Sequence, residues 1–179
     1  MRKHDPDVPE VYLEPGESRV VRGPVVLKTV LGSCVGVAFR IPRLGVGALC
    51  HPMLPNSAAK RTPELSHYDG RRYVDFAIRE LAKEFDKLGA TREETQVKLF
   101  GGADVFSTGK EASKLAVGKM NGERALEVLM EEGFSVMASS LGGNAGIHIE
   151  FHTGTGEVLL RRLQRTHHSK SKASRVDRG

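Results

Sequence analysis

One cysteine and one histidine of this sequence are suited to covalent catalysis. Cys34 stands in the Gly-Ser-Cys-Val run that begins at Gly32, at the end of an apolar stretch, and His51 follows in a Cys-His-Pro-Met-Leu-Pro run. A thiol at a turn loosened by glycine, with a histidine on a neighbouring apolar segment, provides a nucleophile and its base. The pair predicts a cysteine hydrolase.

The chain has two cysteines, and strand geometry ranks them as nucleophiles. A free cysteine is often a small buried hydrophobe. At a strand boundary, however, the backbone N–H groups of Ser33 and Cys34 can face an oxyanion. Cys50 directly precedes His51, and adjacent side chains of a strand point to opposite faces. We therefore expect Cys34 to be the nucleophile, Ser33 to be a poorer candidate and Cys50 to be packing.

A histidine base also needs an orienting group, and the hydroxyl of Thr29, shortly before the cysteine, offers one. The alternative to a catalytic role is that His51 is a structural histidine at the end of its apolar run and that Thr29 is an ordinary strand threonine. An imidazolium beside Cys34 lowers the pKa of the thiol toward or below neutrality. Under this hypothesis iodoacetamide labels Cys34 in preference to Cys50.

A second group of polar residues, His148, Glu150 and His152, alternates with apolar residues. The alternation puts all three on one strand face, where they could bind zinc. A solvated outer face is the better account of the same pattern. The Gly-rich runs at Gly101 and Gly142 lack the strand-then-helix context of a nucleotide loop and predict tight turns. We expect neither a metal nor an organic cofactor.

The elements that must position these residues follow from periodicity. Apolar residues at spacings of 3 and 4 from Tyr73 to Leu88 predict a helix that Gly89 ends, and a second helix is predicted over 121–132 with Asn121 as its cap. Short runs rich in β-branched residues predict strands at 19–22, 25–27, 35–39, 44–49, 96–100, 134–138, 147–151 and 158–163. This pattern indicates an α+β or mixed α/β domain with helices on sheet faces.

Length and charge limit the class of protein. The chain of 179 residues, 39% hydrophobic, suffices for one core, and we expect one domain over 18–164. The proline-containing residues 1–17 predict a flexible N-terminal segment, and residues 165–179 predict a basic disordered tail. Residues 161–179 carry a net charge of +6, so the body is nearly neutral. This distribution argues against a nucleic-acid-binding fold.

The sequence also predicts where the protein resides. No apolar run approaches the roughly 18 residues that span a bilayer, and the first residues lack the apolar core of a signal peptide. We therefore expect a cytoplasmic protein without a transmembrane segment. Two cysteines make no disulfide framework, so both thiols are expected to be free.

Several motifs, taken in order, resemble one known family. They are the run from Thr29 to Val35, His-Pro-Met-Leu-Pro from His51, Tyr-Val-Asp from Tyr73, Phe-Gly-Gly-Ala from Phe100, Asn121, Gly-Gly-Asn from Gly142 and Thr-Gly-Thr-Gly from Thr153. Together they cover roughly 20–163 and resemble the CheD chemoreceptor glutamine deamidases of bacterial and archaeal chemotaxis. Each motif alone is weak, but their common order is specific.

This resemblance implies a cysteine amidohydrolase, a protein-glutamine glutaminase that converts selected glutamines of methyl-accepting chemotaxis receptors to glutamate and releases ammonia. By the family pattern Cys34 is the nucleophile, His51 is the base and a threonine completes the triad. In some members that threonine stands six positions before the cysteine, where this chain has Lys28, whereas Thr29 stands five before it. The difference of one residue matters because side chains alternate along a strand.

The resemblance also implies a fold and partners. The family is similar in fold to the catalytic domain of cytotoxic necrotizing factor, a β-sandwich of mixed sheets flanked by helices. Some relatives bind a CheC-type phosphatase, so the alternative function is a non-catalytic chemotaxis adaptor that binds receptors or such a phosphatase. A remoter alternative is a metal-dependent hydrolase centred on His148 and His152.

Overall fold

The computed structural model describes residues 7–57, 67–104 and 116–164. Within these ranges the chain forms nine strands, three α-helices and a short 3-10 helix over Pro42–Leu44. The strands are β1 (Glu10–Tyr12), β2 (Ser18–Arg22), β3 (Val26–Leu31), β4 (Val35–Ile41), β5 (Val46–Cys50), β6 (Gln96–Gly101), β7 (Val136–Leu141), β8 (Ile147–His152) and β9 (Val158–Arg162). The helices are α1 (His67–Gly70), α2 (Val74–Lys87) and α3 (Val117–Glu131).

The strands form two mixed sheets. The four-stranded sheet has the order β1-β3-β8-β9, in which β1 and β3 are parallel and the other neighbours are antiparallel. The five-stranded sheet has the order β2-β5-β4-β6-β7, in which β6 and β7 are parallel and the other neighbours are antiparallel. A parallel pair needs a long crossover connection, and α3 lies in the one between β6 and β7.

The sheets face each other across one hydrophobic core. Leu27 and Leu31 of the four-stranded sheet pack there with Leu49 of the five-stranded sheet. The opposite face of the five-stranded sheet packs against α2 and α3 in a second core that includes Val37 and Leu81. The protein is therefore α+β with three layers, sheet, sheet and helices. In the described residues the long helices cover only one outer face.

Helix α2 shows how the predicted pattern folds. Its buried apolar side chains are Val74, Ala77, Ile78, Leu81, Ala82 and Phe85. The chain enters the helix from an extended Tyr73 and leaves it at Gly89, whose φ of 69° is left-handed and suits glycine. The structure confirms this helix and the predicted strands, with strand ends that shift by up to four residues.

Two local predictions differ from the structure. Helix α3 begins at Val117, so Asn121 lies inside the helix and is fully buried instead of capping it. The segment 1–17, predicted to be flexible, contains β1, and Leu13 directly after that strand is fully buried. A three-residue strand has too little pattern to be recognised in a sequence. Residues 10–12 are held in an extended conformation by their pairing with β3.

Some predictions concern residues outside the described ranges. The main one is the basic tail over 165–179, which lies outside the described residues. Among the residues that the structure describes, no helix is long and apolar enough to cross a membrane.

Candidate active site

A buried threonine and a buried histidine meet between the two sheets. Thr29 on β3 is fully buried, and His51, directly after β5, is 1% exposed. Thr29 Oγ1 lies 2.8 Å from His51 Nδ1 and 2.8 Å from the Leu13 carbonyl oxygen. The hydroxyl has one proton and the carbonyl can only accept, so the hydroxyl donates to Leu13 and His51 Nδ1–H donates to Thr29. The free lone pair of the ring is therefore on Nε2.

The environment keeps the His51 ring neutral. Burial lowers its pKa from an ordinary 6.5 to about 4, although the Leu13 carbonyl acts in the opposite direction. Nε2 is buried and has no hydrogen-bond partner among the described residues. At neutral pH this nitrogen is an unprotonated acceptor, which is the state that a general base requires.

Strand alternation decides which residue of β3 reaches the histidine. Lys28 points away from the core between the sheets, and its ammonium lies 2.7 Å from Glu10 and 3.6 Å from Glu150. Thr29, one position later, points to the opposite face and hydrogen-bonds to His51. The residue five positions before Cys34 therefore contacts the histidine, and the residue six positions before it does not.

The turn that carries Cys34 lies beside His51. Cys34 connects β3 to β4, and His51 follows β5, which pairs antiparallel with β4. The Val35 N–H donates to the Pro52 carbonyl at 3.2 Å, so the residues that follow Cys34 and His51 are bonded to each other. The half-buried Cys34 side chain packs against the core between the sheets, on the side where His51 meets Thr29.

Gly36 lets Leu31 pack closely against this side of the five-stranded sheet. The register that pairs Val37 with Cys50 sets Gly36 opposite His51. A Cβ at Gly36 would lie 2.9 Å from Leu31 Cδ1, closer than side chains tolerate. A glycine is therefore favoured at position 36, opposite His51, because the Leu31 side chain lies directly against the backbone there.

The resting thiol of Cys34 is neutral, contrary to the activated thiolate predicted from the sequence. Burial raises the pKa of the Cys34 thiol, and its own backbone N–H only partly opposes this effect. His51 Nε2 accepts no hydrogen bond from the thiol. The reason for the difference is that the imidazole is neutral, so it supplies no positive charge to stabilise a thiolate.

Three donors hold the carbonyl groups of the turn Gly32-Ser33-Cys34. The Ala103 N–H donates to the Gly32 carbonyl at 2.9 Å. Asn121 Nδ2 donates to the Ser33 carbonyl at 2.9 Å, and the Gly102 N–H donates to the Cys34 carbonyl at 2.8 Å. The peptide bonds are trans, so each N–H points away from the carbonyl of the same peptide unit. The N–H groups of Ser33 and Cys34 have no backbone partner among the described residues. Together they can donate hydrogen bonds to an oxyanion.

The other candidates lie elsewhere. Cys50 is fully buried on the helix side of the five-stranded sheet, and burial raises the pKa of its thiol to about 12. His148, Glu150 and His152 lie on the outer side of β8, with His148 Nδ1 3.8 Å from a Glu150 oxygen. Within the described ranges no three His, Cys, Asp or Glu side chains are arranged to hold a metal ion.

Comparison with known proteins identifies the family. A family model described as CheD chemotactic sensory transduction matches residues 53–162. The chain belongs to the CheD family. The probable chemoreceptor glutamine deamidase CheD 2 of Geobacter sulfurreducens is 42% identical over 93% of this chain and 98% of that protein. The chemoreceptor glutamine deamidase CheD of Thermotoga maritima is 35% identical over 83% of this chain and 88% of that protein. The resemblance predicted from the motifs is confirmed.

Two solved structures resemble this CheD chain weakly. The hypothetical protein YfiH of Bacillus licheniformis has a TM-score of 0.42 and 10% identity, and covers 69% of this chain and 49% of its own. The protein NMB0706 of Neisseria meningitidis has a TM-score of 0.40 and 13% identity, and covers 76% of this chain and 63% of its own. At these TM-scores the two structures do not test the predicted likeness to cytotoxic necrotizing factor. The fold stands as α+β with two mixed sheets.

The contacts of two groups in the CheD site were not predicted from the sequence, although Asn121 was named there as a helix cap and a family motif. The Leu13 carbonyl, which sets the tautomer of His51, leaves no signal in the sequence because any residue has a carbonyl. Asn121 does leave one. It occupies the buried side of α3 with Ala125 and Leu129 at a spacing of four, and a polar residue in such an apolar stripe needs hydrogen-bond partners inside the protein.

Proposed function

We propose that this CheD protein is a glutamine deamidase that hydrolyses glutamine side chains of chemotaxis receptors to glutamate and ammonia. The relatives named above are chemoreceptor glutamine deamidases. The observation that carries the proposal is the His51 ring. Its Nδ1–H donates to Thr29, and its buried Nε2 has no hydrogen-bond partner among the described residues, while the Cys34 side chain packs against the same core between the sheets. Cys34 is the nucleophile, His51 the base and Thr29 the orienting residue.

The first step forms a bond between Cys34 Sγ and the carboxamide carbon of the glutamine. As the sulfur attacks, His51 Nε2 takes the thiol proton and the carbonyl oxygen becomes an oxyanion. The N–H groups of Ser33 and Cys34 donate to that oxygen. Thr29 keeps its hydrogen bond throughout, because Nδ1 carries a proton in both the neutral and the charged ring.

The next steps release the products. The C–N bond breaks as Nε2–H gives its proton to the departing nitrogen, so ammonia leaves and a thioester remains. A water molecule loses a proton to Nε2 and attacks the thioester. The C–S bond then breaks, the sulfur takes back the proton and glutamate is released. His51 thus acts alternately as base and acid.

The pKa values favour proton transfer during the attack. The thiol of Cys34 has a pKa above its ordinary 9.0, and the imidazole has a pKa of about 4. Both shifts disfavour a thiolate–imidazolium pair that is formed in advance. We therefore expect the proton to move as the C–S bond forms.

The proposal is tested with the full chain and a cytoplasmic fragment of a matching receptor. We expect each converted glutamine to gain about 1 Da, because NH2 is replaced by OH, and Cys34→Ala to lower the rate by about 10³-fold or more. Cys50→Ala is the matched control and should keep the native rate. Conversion by Cys34→Ala at the rate of the control would remove the nucleophile assignment.

A second candidate function is a non-catalytic adaptor in the cytoplasm that binds receptors or a CheC-type phosphatase. The observations that favour it are the raised pKa of the Cys34 thiol and the missing hydrogen bond between Sγ and His51 Nε2. Binding of the receptor fragment without any gain in its mass would support the adaptor. The deamidase requires the mass to change in the same mixture.

A further inference from the structure

Asn121 connects the turn of the nucleophile to the loop of the base. It lies in α3, is fully buried, and has one side-chain nitrogen with two acceptors. Nδ2 lies 2.9 Å from the Ser33 carbonyl oxygen and 2.8 Å from the Met53 carbonyl oxygen. Ser33 precedes Cys34, and Met53 is two residues after His51. One amide group therefore holds both segments.

The two carbonyls determine which side chain can stand here. Each carbonyl accepts and neither can donate, so the nitrogen between them must have two N–H bonds, as that of a carboxamide does. Asn121 Oδ1 is buried and has no hydrogen-bond partner among the described residues. Leucine would avoid this unpaired oxygen but would leave both carbonyls unpaired. The contact with the two loops, and not the packing of α3, explains the asparagine.

The Ser33 contact also orients a possible oxyanion donor. The Ser33 carbonyl and the Cys34 N–H belong to the same planar trans peptide unit. Holding the carbonyl toward Asn121 therefore turns the N–H the other way. Without the amide, this peptide unit can rotate, and the direction of the Cys34 N–H is no longer fixed.

The start of α3 is seated so that Asn121 cannot move away. A Cβ on Gly118 would overlap the carbonyl oxygens of Gly102 and Ala103, so the helix backbone lies directly against that loop. The N–H groups of the same two residues bind the carbonyls of Cys34 and Gly32. The helix and the turn thus share one rigid support.

We propose that Asn121 is a positioning residue of the deamidation, which aligns the Ser33–Cys34 peptide with the oxyanion and holds the His51 loop beside it. The inference rests on the proposed function. Asn121 does not touch the substrate, so its loss should lower kcat and leave KM unchanged. Alkylation of Cys34 by iodoacetamide forms no oxyanion, so its rate should also be unchanged.

The test compares Asn121→Leu, which removes both donors and keeps the volume filled, with Val128→Ala. Val128 is fully buried in the same helix, so its truncation loosens α3 without touching either loop. We expect Asn121→Leu to lower kcat by about 10- to 100-fold, with KM and the alkylation rate within about 2-fold of native. Val128→Ala should change none of the three at a temperature where it is folded. Asn121→Ser, a smaller change, replaces the leucine variant if that protein does not fold.

Amide exchange separates this inference from the proposed function. Loss of the Asn121 contacts should speed hydrogen exchange in 32–35 and 51–54, with no substrate present. If the native protein converts no glutamine, the deamidase proposal fails and exchange alone decides whether Asn121 holds the loops. Unchanged exchange overturns the inference. A native kcat in Asn121→Leu also overturns it, as does an equal loss of kcat in Val128→Ala. The same holds if the alkylation rate of Asn121→Leu falls as much as its kcat.

Discussion

The two faces of the five-stranded sheet give neighbouring residues opposite properties. Cys50 and His51 are consecutive, yet Cys50 lies among the apolar side chains under the helices, whereas His51 meets Thr29 between the sheets. The helix-covered face is a continuous apolar core. The sheet-covered face has a polar pair at one end, close to the half-buried Cys34.

This difference shows that burial alone does not make a site. Burial raises the pKa of both cysteine thiols and lowers that of His51. What distinguishes the face between the sheets is a set of polar partners, because Thr29 orients the imidazole and backbone donors surround the Cys34 turn. On the helix-covered face Cys50 Sγ makes a long contact of 3.9 Å with the Val37 carbonyl oxygen.

The reactivity of the two thiols tests the comparison most strongly. With a pKa of about 12, buried Cys50 is about 10⁻⁴ thiolate at pH 8, and it has no exposed surface. We expect iodoacetamide to modify Cys34 at least about 100-fold faster than Cys50, as measured by peptide mass mapping at timed intervals. The Cys34 rate should still rise above pH 9, because its own pKa is raised.

Two outcomes would contradict this prediction. Equal labelling of both cysteines in the folded protein would mean that the two faces do not differ in access. A Cys34 rate that levels off near pH 7 would mean that the thiol is a preformed thiolate. Cys34→Ala, which leaves only Cys50, supplies the baseline.

The next largest effect is expected on kcat, when the two adjacent β3 residues Thr29 and Lys28 are substituted in turn. Thr29→Val keeps the shape but removes the acceptor of His51 Nδ1–H, so the ring loses its preferred tautomer and orientation. An unpaired buried donor costs about 1–3 kcal/mol, and we expect kcat to fall by about 10- to 100-fold. Lys28→Met, on the outer face, is the matched control and should retain the native kcat. Equal effects of the two substitutions would exclude an orienting role for Thr29.

Acid stability tests the buried histidine and gives the smallest effect. The folded pKa of His51 is about 4 and its ordinary value is 6.5, so the unfolded chain binds more protons between these values and stability falls as the pH falls through this range. From pH 8 to pH 5 this group should cost about 2 kcal/mol, or about 4–8 °C in Tm. His51→Gln should lose that part of the pH dependence in calorimetric scans. Parallel curves for the two proteins would contradict a neutral buried His51.

Much of the fold was predictable because its elements have strong local patterns. The apolar spacing of α2 and the β-branched runs of β3, β4 and β8 indicate their own secondary structure. Strand β1 and the true start of α3 were not predictable. Strand β1 is held in place by its pairing with β3, and the start of α3 is held by the contact of Gly118 with the loop after β6.

The amino-acid pattern specifies the types of residues available for chemistry, the family, and the separation of Cys50 from His51, because alternation along a strand is a local property. Cys34, His51 and Thr29 follow from the sequence as site residues, and their catalytic roles stay predictions. The folded chain was needed to show that Thr29 and not Lys28 meets His51, that the Leu13 carbonyl sets the tautomer, and that Asn121 joins the two loops. Each of these depends on groups far apart in the chain, whose distances and burial no local pattern specifies.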